Sequence, residues 1–273
     1  MLKTYNIIMN KMKIGIIGCG FVGSALKDWI EENNQDIELR ISDPSKGYND
    51  EVSDCDAYFI QIHIPTEEDG TQDLKPLEDI INELPKGKPI WIRTTILPGT
   101  SRRLSETTGR VVYHMPEFLT ERTYKEDFKW QPMIFTGKPE HVEILKRIFV
   151  GKKHIEMTSV EAEMAKYAHN VFGALKVTYF NCIYSICQKM GIDYGAVLSG
   201  ILNSTYINEM HTKVPGPDGK FGYGGKCFPK DVKAFERMFR YTQLGLLIGQ
   251  LEKLNSEFRV SRKYPCKSVF YGN

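Results

Sequence analysis

The feature that most restricts the fold is a glycine triplet between a strand-like and a helix-like segment near the N-terminus. The stretch KIGIIGCGFVGSAL places an apolar run before Gly18, Gly20 and Gly23, and helix-forming residues after them. A second apolar stretch, IELRISD, ends at Asp43, twenty residues past Gly23. This order of strand, glycine turn, helix and acidic residue is typical of a dinucleotide-binding βαβ unit.

Each glycine has its own physical reason in such a unit. Gly18 permits the tight turn, Gly20 lets the backbone approach a pyrophosphate, and Gly23 lets the helix pack closely on the strand. Asp43 would accept hydrogen bonds from both hydroxyls of the adenosine ribose and repel a 2′-phosphate, which favours NAD over NADP. Lys46 is a nearby cation that weakens this discrimination. The predicted cofactor contacts of this turn are Gly18, Cys19, Gly20, Phe21, Val22, Gly23, Asp43 and Lys46.

Strand and helix signals continue to alternate after Asp43. The stretches AYFIQIHIP, PIWIRTTI, VVYHMP and MIFTG are strand-like, and helices are expected near residues 75–84, 101–108 and 139–150. This alternation predicts an α/β fold with a Rossmann-type, doubly wound parallel sheet over residues 1–157, with residues 1–11 as an extension. Thr66, Thr94, Thr95 and the segment 116–121 follow strands, where ligands bind in such sheets.

The second half of the chain is predicted to be all-helical. Residues 159–190 carry apolar residues at three- and four-residue spacing up to Gly191, and residues 231–258 predict one or two further helices. The long helix is too apolar around its circumference for a lone surface helix, so we expect residues 158–273 to form a dimerisation domain and the chain a homodimer. Lys166 and Asn170 lie one turn apart on one face of it.

Composition excludes several classes of function. The net charge of +2, from 36 basic and 34 acidic residues, provides no field for nucleic acid. No apolar run is long enough to span a membrane, and the first residues do not look like a signal peptide, so we expect a cytoplasmic protein. The six cysteines are scattered, and Cys182 and Cys187 do not have metal-ligand spacing, so we expect free thiols and no metal.

One cysteine has unusual neighbours. In FGYGGKCFPKD, Cys227 ends a glycine-rich loop and is followed by Lys230 and Asp231. A buried structural cysteine needs apolar neighbours, so this setting favours a reactive thiol.

Five blocks together resemble the UDP-glucose/GDP-mannose 6-dehydrogenase family. They are GIIGCGFVG, TTILPGT, MPEFLTE, EAEMAKYAHN and FGYGGKCFPKD, in family order across residues 13 to about 258. The last block is the most specific. The resemblance implies oxidation of a nucleotide sugar, UDP-glucose above all, from the primary alcohol to the carboxylate in two NAD-dependent steps.

The resemblance also implies residue roles. Cys227 would attack the aldehyde formed in the first step, and Lys166 and Asn170 would stabilise the oxyanions. Asp231 and Thr95 would hold the hydrolytic water, and Glu121, rather than Glu117, would be the general base. The implied further cofactor contacts are Thr66, Thr95, Glu121 and Lys230. The implied substrate contacts are Glu117, Phe118, Leu119, Lys166, Asn170, Phe221, Tyr223 and Gly224.

The chain departs from the family in three places. We expect the family's C-terminal nucleotide-binding domain to be missing, because the tail CKSVFYGN resembles only that domain's first strand; a second chain is one expected source of the rest. HIP at 63–65 stands where relatives have a PTP-type segment. His211 and Lys213 are the nearest candidates for an arginine that relatives send to the substrate across the dimer interface.

Two alternatives stay open. The 6-phosphogluconate and 3-hydroxyacid dehydrogenases share the dinucleotide domain, the long helix and a Lys-x-x-x-Asn pair, but they use no cysteine nucleophile. A non-catalytic NAD-binding protein, or a partner-dependent subunit of a split enzyme, would retain the fold without independent activity.

Overall fold

The computed structural model describes residues 11–261, which form two compact units. The first unit runs to Pro65 and includes Asp73–Lys166, and the second comprises Thr66–Gln72 and the chain from Tyr167 on. The predicted boundary between residues 157 and 158 stays a prediction; the first unit takes in the start of the long helix through Lys166. Residues 1–10 and the strand-like tail lie outside the described residues.

The first unit is built on one mixed sheet. Its strands are β1 (Met12–Ile17), β2 (Ile37–Asp43), β3 (Tyr48–Asn49), β4 (Ala57–Ile60), β5 (Pro89–Ile92) and β6 (Val111–His114). The order is β3-β2-β1-β4-β5-β6, and every pair is parallel except β2 with the short edge strand β3. The chain passes from one side of β1 to the other between β2 and β4, which confirms the doubly wound sheet and places its ligand crevice beside β1.

Helices cover both faces of this sheet, as the alternation predicted. They are α1 (Phe21–Asn33), α2 (Lys75–Glu83), α3 (Thr100–Thr108), α4 (Tyr124–Trp130) and α5 (Pro139–Ile148), with a 3-10 turn at Pro44–Lys46. The predicted strand at MIFTG is β7 (Met133–Phe135), which pairs with β8 (His154–Glu156) in a separate two-stranded sheet rather than extending the main one.

Two apolar clusters account for the near-continuous hydrophobic strands. On one face Phe59 of β4 stacks on Trp91 of β5 with ring centroids 5.3 Å apart, next to helix residues such as Leu26. On the other face Tyr58 and Ile60 of the same strand pack with residues of α2 and α3. Since both faces are covered, successive residues of one strand are all buried, and the strand shows no polar alternation.

The second unit is helical. After α6 (Ser159–Met190), which begins in the first unit, it contains α7 (Tyr194–Leu202), α8 (Phe228–Phe239) and α9 (Gln243–Val260). Gly191, at φ 67°, ends α6 as predicted. The segment after Cys227 forms two helices, and they approach so closely that a Cβ at Gly245 would lie 1.9 Å from the Phe239 carbonyl oxygen.

Among residues 11–261, none of the helices is both long and apolar enough to cross a membrane.

Candidate active site

The glycine turn of the first unit has the geometry that a dinucleotide requires. Gly18 has φ 87°, and a Cβ there would lie 2.8 Å from the Gln61 carbonyl oxygen. A Cβ at Gly23 would lie 2.3 Å from the Gly18 carbonyl oxygen. A Cβ at Gly20 would have no atom within 4 Å among the described residues. The helix α1 starts at Phe21 with no side chain capping its first turn. Its N–H groups and the open side of Gly20 therefore fit the diphosphate of NAD.

Asp43 ends β2, where the ribose of such a cofactor would lie. Its Oδ2 accepts a hydrogen bond from the Cys19 N–H at 2.7 Å, and its Oδ1 accepts one from the Ser45 hydroxyl at 2.6 Å. Burial raises the pKa of Asp43, but the Ser45 and Cys19 hydrogen bonds and the Lys46 charge together lower it below its usual value. The carboxylate is therefore ionised, and each oxygen keeps lone pairs for a ribose hydroxyl.

A lysine and a glutamate meet beyond the end of β6. The Lys166 ammonium donates to the Glu117 carbonyl oxygen and lies 3.4 Å from Glu117 Oε1 and 5.3 Å from the Phe118 ring centre. Glu117 Oε2 accepts from the Leu119 N–H at 2.6 Å. The Lys166 and Glu117 side chains are only 6% and 10% exposed. The structure thus brings four predicted residues together, while Glu121 lies exposed further along the segment.

A buried glutamate, overlooked in the sequence, anchors the loop that follows Thr95. Glu163 of α6 accepts hydrogen bonds from the N–H groups of Gly99 at 2.6 Å and Ser101 at 2.8 Å, at the start of α3. Burial raises the pKa of Glu163, against these hydrogen bonds. The Thr94 hydroxyl donates to the Ile62 carbonyl oxygen at 2.7 Å, and Thr95 is buried. Glu163 precedes Lys166 by one turn, and that spacing was the available signal.

Two buried basic residues at the same sheet edge were also missed. Arg93 follows β5, is 2% exposed, and has no hydrogen-bond partner for its guanidinium among the described residues; it lies 5.5 Å from the Phe128 ring centre. His114 ends β6, fully buried, and its ring nitrogens likewise lack partners among those residues. Burial lowers the pKa of Arg93 to about 10; burial and the Lys166 and Arg93 charges lower that of His114 to about 3. His114 is therefore neutral at physiological pH.

In the second unit, Cys227 is exposed and forms the N-cap of α8. In the first turn of that helix, Asp231 is 1% exposed and forms an ion pair with Lys230. Its Oδ2 accepts a hydrogen bond from Asn170 Nδ2 at 2.7 Å, and the Asn170 Oδ1 lies 3.0 Å from Nδ1 of His169. The structure brings Asn170, Lys230 and Asp231 together one turn from the thiol.

The loop before Cys227 has glycines in the left-handed backbone region and is bound by buried polar side chains. Gly222 and Gly225 have φ of 71° and 79°, which favours glycine. The N–H of Gly222 donates to Asn181 Oδ1 at 2.9 Å, and the side chain of Asn255 binds both the N–H and the carbonyl of Tyr223. Neither asparagine was predicted; a polar residue at a buried position of a helical repeat was the available signal.

Three other predicted residues also lie in the second unit. Phe221 packs against Tyr184 with ring centroids 5.7 Å apart, and a Cβ at Gly224 would lie 2.8 Å from the Arg259 guanidinium. Thr66 belongs to the segment Thr66–Gln72, whose ends form an antiparallel bridge.

Family models match most of the chain. Residues 24–152 match the NAD binding domain of the UDP-glucose/GDP-mannose dehydrogenase family, and residues 160–257 match the central domain of the same family. The first match begins just after the glycine triplet.

Relatives agree with these matches. The chain is 31% identical over 212 residues to a UDP-glucose 6-dehydrogenase of Rickettsia felis, covering 70% of this chain and 45% of that protein. It is 31% identical over 231 residues to a GDP-mannose 6-dehydrogenase of Pseudomonas aeruginosa, covering 75% and 52%. The chain thus spans about half the length of the curated relatives it matches.

Solved structures share the fold. A UDP-glucose dehydrogenase from the hyperthermophilic archaeon Pyrobaculum islandicum superposes with a TM-score of 0.73 at 24% identity, over 90% of this chain and 68% of that one. A 3-hydroxyisobutyrate dehydrogenase of Mycobacterium tuberculosis superposes with a TM-score of 0.66 at 15% identity, over 91% and 95%. The glycine turn, the cysteine loop and the two domain matches together show that the chain belongs to the UDP-glucose/GDP-mannose dehydrogenase family and carries its NAD binding domain.

Proposed function

We propose that this protein oxidises a nucleotide sugar at C6 to the uronic acid with NAD, and that UDP-glucose is the substrate. The observation that carries the proposal is the exposed thiol of Cys227 at the N-cap of α8, in a chain with this family's NAD binding domain. An exposed cysteine at a helix N-terminus is in a position that favours the thiolate, because the helix dipole stabilises negative charge there.

The proposed chemistry has two oxidations and one hydrolysis. The C6 alcohol loses a hydride and a proton and becomes an aldehyde, and the Cys227 thiolate adds to its carbonyl carbon to give a thiohemiacetal in its oxyanion form, from which the second hydride leaves. Loss of a second hydride gives a thioester; water cleaves the C–S bond and releases the carboxylate and the thiol. NAD, when bound, accepts each hydride.

The remaining residues have roles that suit their surroundings. Lys166 supplies a cation and Asn170 an amide donor for the oxyanions, while Asp231 and Thr95 hold the hydrolytic water and Glu121 acts as its general base. Two sets of contacts complete the proposal. The cofactor is bound by Gly18, Cys19, Gly20, Phe21, Val22, Gly23, Asp43, Lys46, Thr66, Thr95, Glu121 and Lys230. The sugar nucleotide is bound by Glu117, Phe118, Leu119, Lys166, Asn170, Phe221, Tyr223 and Gly224.

We also propose a two-fold homodimer through α6. Five large apolar side chains on this helix are exposed, and four of them are Phe172 at 64%, Tyr179 at 55%, Ile186 at 40% and Met190 at 59%. Their spacing of seven, seven and four residues places them along one stripe. Light scattering of the Phe172→Glu variant beside wild type tests this: we expect a dimer to become a monomer, and a monomeric wild type at micromolar concentration contradicts it.

The activity is tested by incubating the purified chain with NAD and, one at a time, UDP-, GDP- and TDP-hexoses and a 3-hydroxyacid, while following the absorbance of the reduced cofactor. Turnover with UDP-glucose supports the proposal. Binding of NAD without oxidation of any nucleotide sugar favours a non-catalytic or partner-dependent protein. Oxidation of a 3-hydroxyacid instead favours the rival dehydrogenase class.

A further inference from the structure

The loop that leads into Cys227 is held by side chains rather than by secondary structure. Asn181 on α6 accepts the Gly222 N–H at 2.9 Å. Asn255 on α9 accepts the Tyr223 N–H at 2.7 Å and donates to the Tyr223 carbonyl oxygen at 3.1 Å. Asn255 therefore pairs with the Tyr223 backbone as a neighbouring strand would, and three consecutive loop bonds come from two helices.

Burial makes these bonds matter. Asn181 is 2% exposed, Asn255 7% and Tyr223 3%, so water does not replace a lost partner. A buried main-chain group that loses its hydrogen bond keeps the full cost of its desolvation. Both asparagine amides have partners for their oxygen and their nitrogen. Asn181 Nδ2 donates to the Val177 carbonyl oxygen at 2.8 Å, and both polar atoms of Asn255 bind the Tyr223 backbone.

The glycine at 222 belongs to the same arrangement. A Cβ at Gly222 would lie 2.4 Å from Asn255 Oδ1 and 3.0 Å from the Phe258 Cβ. Gly222 is thus required both by its positive φ and by the closeness of α9. The close contact between the loop and α9 therefore needs both a glycine at 222 and the buried Asn255.

We propose that Asn181 and Asn255 are positioning residues that fix the 222–223 backbone and thereby present the Cys227 thiol at the start of α8. Neither side chain touches the reacting atoms. The effect of these two asparagines on catalysis rests on the proposed function. Their hydrogen bonds to the 222–223 backbone, called the asparagine clamp below, are tested without turnover.

Hydrogen exchange of the peptide spanning residues 218–227 tests the clamp directly. Asn255→Leu and Asn181→Leu should each lose protection there, by roughly 5- to 150-fold for a buried group left without its partner. Ser256→Ala, on α9, and Ser185→Ala, on α6, lose only a bond to a carbonyl of their own helix and are the matched controls. Unchanged protection in folded Asn255→Leu and Asn181→Leu overturns the proposal.

A nearly isosteric variant, Asn255→Asp, separates the clamp from general stability. The protonated carboxyl accepts from the Tyr223 N–H and donates to its carbonyl oxygen as Asn255 does, but the ionised form repels that oxygen. Protection and kcat, each divided by the wild-type value, should fall as pH rises through the titration of the new carboxyl, with the Kd for NAD unchanged. Glu252 and Arg259 flank this position on the same helix and are present in wild type too, so the ratio removes their effect.

The outcomes distinguish the two proposals. If exchange shows the clamp but wild type oxidises no nucleotide sugar, the clamp stands and the proposed function fails. If wild type turns over and the Asn255→Asp ratios stay flat with pH, the clamp is wrong whatever the reaction. If NAD affinity falls in parallel with kcat, the asparagines support the fold rather than the thiol, which also overturns the proposal.

Discussion

Two pairs of buried polar side chains, one pair in each unit, are used in opposite ways. At the edge of the first unit's sheet, Arg93 and His114 are buried with no hydrogen-bond partner for their side-chain nitrogens among the described residues. In the second unit, Asn181 and Asn255 are equally buried, and their amides bind the backbone of the loop before Cys227.

The difference follows from what fixes the backbone in each unit. At Arg93 and His114 of the first unit, parallel strands hold the chain, so these two side chains are not needed for that purpose. Leaving a buried polar group without a partner costs about 1–3 kcal/mol, and more when the group is charged. In the second, the loop has no ladder of its own, and side chains replace it. The sheet thus leaves the side chains of Arg93 and His114 available for ligands, whereas the loop before Cys227 engages the amides of Asn181 and Asn255.

Removing the thiol should have the largest effect. With Cys227→Ala, formation of the uronic acid should fall by roughly 10⁴-fold or more, the scale on which loss of a nucleophile acts, and at most one hydride should be transferred per sugar. Cys227→Ser should accumulate an acyl adduct, visible by intact mass, because its ester is hydrolysed more slowly. Full conversion of alcohol to acid by Cys227→Ala would show that the loop does not present a catalytic thiol, and the contrast drawn between this loop and the sheet edge would then fail.

Lys166→Met tests the cation at the sheet edge. Loss of one donor to a developing oxyanion typically costs on the order of 10²–10³ in kcat, and NAD affinity should stay the same because the residue serves the sugar. Stopped-flow rates and a separate NAD titration check both parts. A weakened NAD affinity with unchanged kcat would reassign Lys166 to the cofactor.

Asp43→Ala tests the cofactor preference at a third position of the first unit. The carboxylate should contribute hydrogen bonds of a charged acceptor to the ribose, so NAD should bind roughly 10- to 100-fold more weakly while NADP loses little. Calorimetric titration of both cofactors measures this. Tighter binding of NADP than of NAD by wild type would contradict the assignment.

The smallest expected effect concerns His114 and the pH dependence of stability. Its pKa of about 3 in the folded protein lies below its ordinary value near 6.5, so only the unfolded chain takes up this proton in between. Stability should therefore fall as pH drops from about 6.5, by up to about 1.4 kcal/mol per pH unit. His114→Met should flatten this slope in urea unfolding, and exposed His63→Gln should not. Equal slopes for all three proteins would contradict the burial of a neutral, unpaired imidazole.

The sequence predicted what depends on local pattern. The glycine turn, β2 ending at Asp43, the strands β4 to β7 and the end of α6 at Gly191 all follow from spacing within one or two elements. The asparagine clamp could not be predicted in this way, because its bonds join residues that are 41 and 32 positions apart in the sequence, and neither asparagine belongs to a motif. Arg93 and His114 were hidden in apolar strands, where a single polar residue gives no periodic signal.

The number of hydrides transferred per sugar shows most directly whether one chain takes an alcohol to an acid through Cys227. Limiting UDP-glucose is incubated with excess NAD and the purified protein until absorbance is constant, and the sugar product is identified by mass. We predict two reduced cofactors per sugar and a uronic acid as the product. One reduced cofactor per sugar, with an aldehyde as the end product, would contradict it.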